Sequence, residues 1–179
     1  MRARMNVKFL NPFIEAATEV IATETGVDLQ RGDLLLEKTN YRTDDITVII
    51  AMVGSVVGNV LFSLSFPTAV ALASQMLGEK LESFDALAQS GIAELGNVIT
   101  GRASVKLAEA GYESTISPPT MVIGKDMMIS TLDRPRLVVP FTSKAGSFVI
   151  HLALREGSGI AIPEAHIPVP RRPDIQQEK

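Results

Sequence analysis

The chain has 179 residues, 46% of them hydrophobic and 21% charged, which suits one folded domain with a substantial core. It has no cysteine, which excludes disulfides and thiolate metal sites and fits a reducing, cytoplasmic setting. A net charge of −3 without a basic stripe argues against duplex nucleic acid as a partner. Arg2, Arg4 and Lys8 are followed by no continuous apolar run, so no signal peptide is expected.

A first helix is predicted over Pro12–Thr25, with Asn11 as cap, Pro12 in the first turn and Gly26 as stop. Phe13, Ala17, Val20 and Ile21 lie at helical spacing along it. Strands are expected at Leu34–Thr39, Ile46–Val53 and Val56–Phe66, then a short helix over Pro67–Leu77 that stops at Gly78. The longest helix begins after Ser83, a candidate cap, and runs to Ala110 with Gly111 behind it. Three strands follow at Met127–Thr131, Arg136–Thr142 and Ser147–Arg155, the last two joined by a turn at Ala145-Gly146. Phe148, Ile150, Leu152 and Leu154 alternate onto one face of the last strand.

Residues 1–155 therefore read as a single α+β domain: a mostly antiparallel sheet with two long helices packed on one face. Residues 156–179 are expected to be a flexible tail, because Pro163, Pro168, Pro170 and Pro173 fall there with few apolar neighbours. The order of elements suggests a weak internal duplication, about 9–78 and about 83–155. In that register Glu15…Thr18 of the first helix falls where Glu94…Asn97 of the long helix falls.

Ile46–Gly78 carries no charge and is long enough to span a bilayer. Gly54, Ser55, Gly58, Asn59, Ser63, Ser65 and Pro67 interrupt it, and its first part is β-branched, so two buried strands and a helix are expected instead of a membrane span.

On the long helix, at about 100° per residue, Phe84, Ala88, Gly91, Ile92, Leu95 and Ile99 form the core face. Ser90, Glu94, Asn97, Gly101 and Ser104 form the opposite stripe. Glu94 and Asn97, three apart, project together, and the small Ser90 and Gly101 leave room for a partner backbone to approach. Spacing alone is not specific: Glu37–Asn40 repeats it at a strand end, with no function assigned.

Ser90-x-x-x-Glu94-x-x-Asn97, followed by Ser117-Pro118-Pro119-Thr120 and Val122-Ile123-Gly124, resembles the CheC/CheX chemotaxis phosphatase family, and within it the CheX branch. The resemblance covers about residues 9–155 and includes Asn11-Pro12 and Gly58-Asn59-Val60. It implies a phosphatase acting on the aspartyl phosphate of a CheY-type receiver, with Glu94 meeting the receiver's Lys and Asn97 orienting the attacking water. Ser90, Gly101 and Ser104 would line the docking stripe. The Mg²⁺ would belong to the receiver and no cofactor to this chain. The resemblance also implies a homodimer joined through sheet edges. CheC-type members carry two such helices; here Thr18 stands where the first helix would need an amide, which leaves one site. The chemistry is coherent: an acyl phosphate is already activated, and a neutral carboxamide can hold an in-line water because it both donates and accepts hydrogen bonds.

Rival readings are weaker. Gly96-x-x-x-x-Gly101-Arg102-Ala103 has neither the Lys nor the Ser/Thr of a phosphate loop and lies inside a helix. Gly96 is expected to let the helix cross a neighbour closely. His151 and His166, the two histidines, cannot form a histidine-rich metal site, and His151 is expected to be structural. Asp44-Asp45 reads as a solvated strand edge, Met127-Met128 as core filling, and Pro118-Pro119 as the donor-poor start of a strand. A scaffold module of the flagellar-switch kind, binding without catalysis, would not need Asn97.

Overall fold

A computed structural model describes residues 7–158 apart from Thr39 and Asp133. Its elements are α1 (Leu10–Thr25), β1 (Gln30–Arg31), β2 (Leu35–Glu37), β3 (Asn40–Arg42), β4 (Ile46–Gly54), β5 (Val56–Leu64), α2 (Phe66–Leu77), α3 (Ala86–Glu109), β6 (Ser114–Ile116), β7 (Thr120–Ile123), β8 (Met128–Ser130), β9 (Arg136–Ser143) and β10 (Gly146–Glu156). Every strand pairing among the described residues is antiparallel.

The centre of the sheet is two hairpins, β4–β5 and β9–β10, joined where β10 pairs with β5 from Phe148↔Leu64 to Glu156↔Val56. The outer strands cross over. β1 and β2, early in the chain, pair with β9. β6 and β7, late in the chain, pair with β4. The period-2 pattern puts Ile46, Val48, Ile50 and Met52 of β4, Val60, Phe62 and Leu64 of β5, and Phe148, Ile150, Leu152 and Leu154 of β10 on one face. All three helices pack on that face. The uncharged stretch is thus strand, strand and helix, and no helix among the described residues is long and apolar enough to cross a membrane.

Helix ends follow local chemistry, though not always at the expected residue. α1 starts at Leu10 after a 3₁₀ turn, with Phe9 at the cap position and no capping side chain; Asn11 lies inside the helix and is not the cap. The cap of α3 is Asp85, not Ser83: its Oδ1 accepts from the Ala88 N–H at 2.9 Å, satisfying a donor that Ser83 is too early to reach. Ser65 caps α2, so β5 ends at Leu64 and Phe66 is helical. α1 and α2 stop at Gly26 and Gly78, both left-handed, at φ 66° and 67°.

The sequence reading missed three short strands, β1, β3 and β6; β7 begins directly after Pro118-Pro119, where a strand entry was expected. Met127 and Met128 are exposed, 39% and 58%, rather than filling the core. Asp45 is more than a solvated edge: its Oδ2 accepts from the Phe66 N–H at 3.0 Å, tying β4 to the start of α2. The hairpin turn is Lys144-Ala145, and Gly146 already belongs to β10. β10 also takes in Glu156, so the sheet reaches into the expected tail; residues 159–179, His166 among them, lie outside the described residues. Pro118-Pro119 separate two short strands that share β4 as partner.

Candidate functional site

α3 lies across the sheet with Ala88, Ile92, Leu95, Ile99, Ala103 and Leu107 buried beneath it. Phe84 and Gly91, expected on that face, are half-buried at its margin. Gly96 sets the depth of the helix: a Cβ there would come within 3.3 Å of Phe62 Cδ2 and of Val48 Cγ1. The close neighbour is the sheet itself. A glycine in a helix interior costs about 1 kcal/mol relative to alanine, so this close approach offsets a helix-propensity loss. The residue next to it, Asn97, inherits its position from that contact.

Burying one face of α3 turns Ser90 and Glu94 fully outward and leaves Asn97 half-buried at the rim. Among the described residues, neither the Glu94 nor the Asn97 side chain has a hydrogen-bond or ion-pair partner. The other two stripe residues face a neighbour. Gly101 is half-buried, with its Cβ position 3.8 Å from Ile116 Cδ1 of β6. Ser104 Oγ donates to the Ser114 carbonyl at 2.9 Å, so its hydroxyl is engaged. β6 therefore forms one bank of the stripe.

α1 forms the other bank and is tied to α3 by charge. Lys106 Nζ lies 2.9 Å from Glu19 Oε1 and 3.2 Å from Glu15 Oε2, and Arg102 Nε lies 4.0 Å from Glu19 Oε2. The hydrogen bond between Lys106 and Glu19 is the main reason that Lys106 is held more basic, and Glu19 more acidic, than usual. In the register that aligns the two helices, the first-helix counterparts are both occupied: Glu15 by Lys106, and Thr18 Oγ1 by the Ile14 carbonyl at 2.9 Å. In the second Glu-x-x-Asn spacing, Glu37–Asn40, the carboxylate is taken: Arg136 Nη2 donates to Glu37 Oε2 at 2.8 Å and to the Asn40 backbone carbonyl at 3.0 Å. Of the Glu-x-x-polar sets singled out in the sequence, Glu94/Asn97 alone presents both side chains without partners.

A second polar cluster lies on the opposite face of the sheet. Arg136 is fully buried, with its guanidinium 4.7 Å from the Tyr41 ring centroid and Nη1 2.6 Å from His151 Nδ1. Burial, and after it the Arg136 charge, push His151 down to about 3. A neutral imidazole accepts the Arg136 N–H, so the described contacts of His151 are structural.

The family model for the chemotaxis phosphatase CheX matches residues 46–142, more than half of the chain and including all of α3. The CheY-P phosphatase CheX of Thermotoga maritima is 27% identical over 154 residues, covering 86% of this chain and 99% of that protein. Among solved structures, a CheC-like superfamily protein from Shewanella sp. PV-4 superposes with a TM-score of 0.76 at 33% identity, over 86% of this chain and all of the other. CheX in a CheX–CheY–BeF₃–Mg²⁺ complex from Borrelia burgdorferi superposes at 0.72 with 27% identity, over 84% of this chain and all of the other. The α+β sandwich of helices on an antiparallel sheet, the Glu94/Asn97 pair and these matches agree: the chain belongs to the CheX family of chemotaxis phosphatases.

Proposed function

We propose that this chain dephosphorylates the aspartyl phosphate of a CheY-type receiver, with Asn97 orienting the attacking water and Glu94 pairing with the receiver's Lys. One observation carries the reading: Glu94 and Asn97 stand together on the outer stripe of α3 with no partner among the described residues, while Glu15 and Thr18 are occupied. Ser90, Gly101 and Ser104 extend the stripe along the helix and keep it low, so the receiver's backbone can come close.

The water oxygen attacks phosphorus in line with the bond to the Asp oxygen. That P–O bond breaks, the Asp carboxylate is regained, and the water's proton leaves with the phosphate or to solvent. The Asn97 carboxamide accepts a hydrogen bond from the water or donates one to it; it is not a base, and its contribution is position. The Glu94 carboxylate forms a charge-assisted bond with the receiver's Lys and fixes the register of docking. The CheY partner of the Borrelia burgdorferi complex, crystallised with BeF₃ and Mg²⁺, supports assigning the metal to the receiver.

The direct test is phosphate release from a phosphorylated CheY-type receiver with Mg²⁺ and catalytic amounts of this chain. Acceleration well above the spontaneous rate is expected; none, across several receivers, sinks the proposal in favour of a non-catalytic scaffold. Glu94→Ala is expected to raise KM as well as lower kcat, because docking and chemistry share that carboxylate. Thr18→Ala should leave both within about twofold, the scale of a surface change; a large loss would mean a second site on α1.

We also propose that two copies join edge to edge along β2. Leu34, Leu35 and Leu36 are 38%, 51% and 66% exposed, and β2 pairs on one side only, with β9. An open apolar edge strand is a template for pairing with another chain. Sedimentation should give a dimer for the wild type and a monomer for Leu35→Lys with Leu36→Lys. A wild-type monomer at micromolar concentration would discard the edge pairing.

A further inference from the structure

Two apolar side chains on α3 have no role in the fold and none in the chemistry. Leu87 is 47% exposed and Val105 56% exposed, on a helix whose other face is buried against the sheet. At about 100° per residue, Leu87, Ser90, Glu94, Gly101 and Val105 fall within about 60° of one another, and Asn97 widens the arc to about 80°. The exposed apolar residues therefore lie on the same stripe as the Glu94/Asn97 pair, one towards each end. At about 1.5 Å per residue, Leu87 is about 15 Å from Asn97 and Val105 about 12 Å, a row of about 27 Å in all.

We propose that Leu87 and Val105 are the apolar docking contacts for the phosphorylated receiver, bracketing the polar pair and closing water out of the site between them. The inference rests on the phosphatase reading for its occupant, a CheY-type receiver, and adds the residues that hold it. Three observations commit the surface to that occupant. The stripe is continuous with Glu94 and Asn97, which must themselves reach into the receiver. A compact domain of about 100–150 residues has a radius of gyration of about 13–15 Å, so a 27 Å row spans one such domain and no more. A CheX relative with the same fold forms a complex with CheY. The arrangement also has a physical reason: energetically dominant groups sit centrally in an interface and are ringed by contacts that exclude solvent. An ordered in-line water needs that exclusion, since bulk water beside it would compete for the Asn97 amide.

The test is the double variant Leu87→Ser with Val105→Ser, compared with Met128→Ser, which is 58% exposed on β8 beyond the opposite face of the sheet. Binding is measured to a CheY-type receiver carrying BeF₃⁻ and Mg²⁺, and kcat and KM from phosphate release. The double variant should raise Kd and KM about tenfold and lower kcat more than about twofold, because bulk water then reaches the in-line water, with the thermal midpoint unchanged because both side chains are already exposed. Met128→Ser should move none of these. Unchanged Kd and KM in the double variant, with an active wild type, overturn the inference. A wild type that binds the receiver without accelerating phosphate loss, and loses that binding in the double variant, keeps the docking surface and overturns the phosphatase reading. A wild type that neither binds nor accelerates overturns both.

Discussion

Replacing Asn97 by Ala is expected to lower the turnover of receiver dephosphorylation by roughly 10² or more, the scale seen when one transition-state-positioning group is removed. That factor corresponds to about 2.7 kcal/mol of transition-state stabilisation. The loss should fall mainly on kcat, because the amide acts on the water and contributes little to holding the receiver. Folding should be untouched: Asn97 is only half-buried and has no hydrogen-bond partner among the described residues to leave unsatisfied. Asn97→Asp is the sharper companion. It keeps the shape, but places a negative charge beside the phosphoryl oxygens and removes the donor half of the amide, so it should be no better than Ala. Single-turnover phosphate release at saturating chain gives the chemical step directly. A loss below about threefold would mean that another group holds the water.

The candidate site was legible because it rests on one helix and one period. The spacing of Ala88, Ile92, Leu95 and Ile99 fixes which side of α3 is buried, and that alone places Ser90 and Glu94 outside and Asn97 at the rim. What periodicity cannot see is the neighbour. Gly101 and Ser104 share the stripe, but β6 runs beside them, and Ser104 spends its hydroxyl on the Ser114 carbonyl. β6 itself is three residues long and pairs only with the end of β4. A strand that short carries no alternation of its own and exists because an edge was available. The same holds for β1 and β3. The same period puts Leu87 and Val105 on that stripe, but only the structure shows that they stay 47% and 56% exposed there.

The fold was legible where the core dictates it. β4, β5 and β10 are strongly apolar on alternate positions, and their registers follow from burying Val48, Val60, Phe62 and Ile150 together. The crossing of the outer strands was not, because β1 and β2 pair with β9, about a hundred residues away, over only two and three residues. Caps failed by a residue or two for a local reason. At the start of α3 both Ser83 and Asp85 are acceptable cap types, and which one caps depends on where the first helical turn settles against the sheet; here it is Asp85.

Acid stability should expose the cluster on the far face of the sheet. His151 is 6% exposed, and burial, reinforced by the Arg136 charge, holds it down to about 3 against an ordinary 6.5. Between those two values the unfolded chain takes up a proton that the folded chain refuses, so stability falls as pH drops from about 6.5 towards 3 and is fully present above that window. At 1.36 kcal/mol per pKa unit the whole shift corresponds to about 5 kcal/mol, taken as an order of magnitude. His151→Gln keeps an acceptor for the Arg136 N–H but cannot be protonated, so it removes this share of the pH dependence and leaves the carboxylates' share in place. Urea unfolding at pH 7, 6, 5 and 4 should show the wild type losing about 1.4 kcal/mol more per pH unit than the variant over the lower part of that range. Parallel curves would mean that Arg136 and His151 separate before the histidine titrates. That would place the weak point of the domain at the Tyr41–Arg136–His151 stack, far from the face on which α3 presents Glu94 and Asn97.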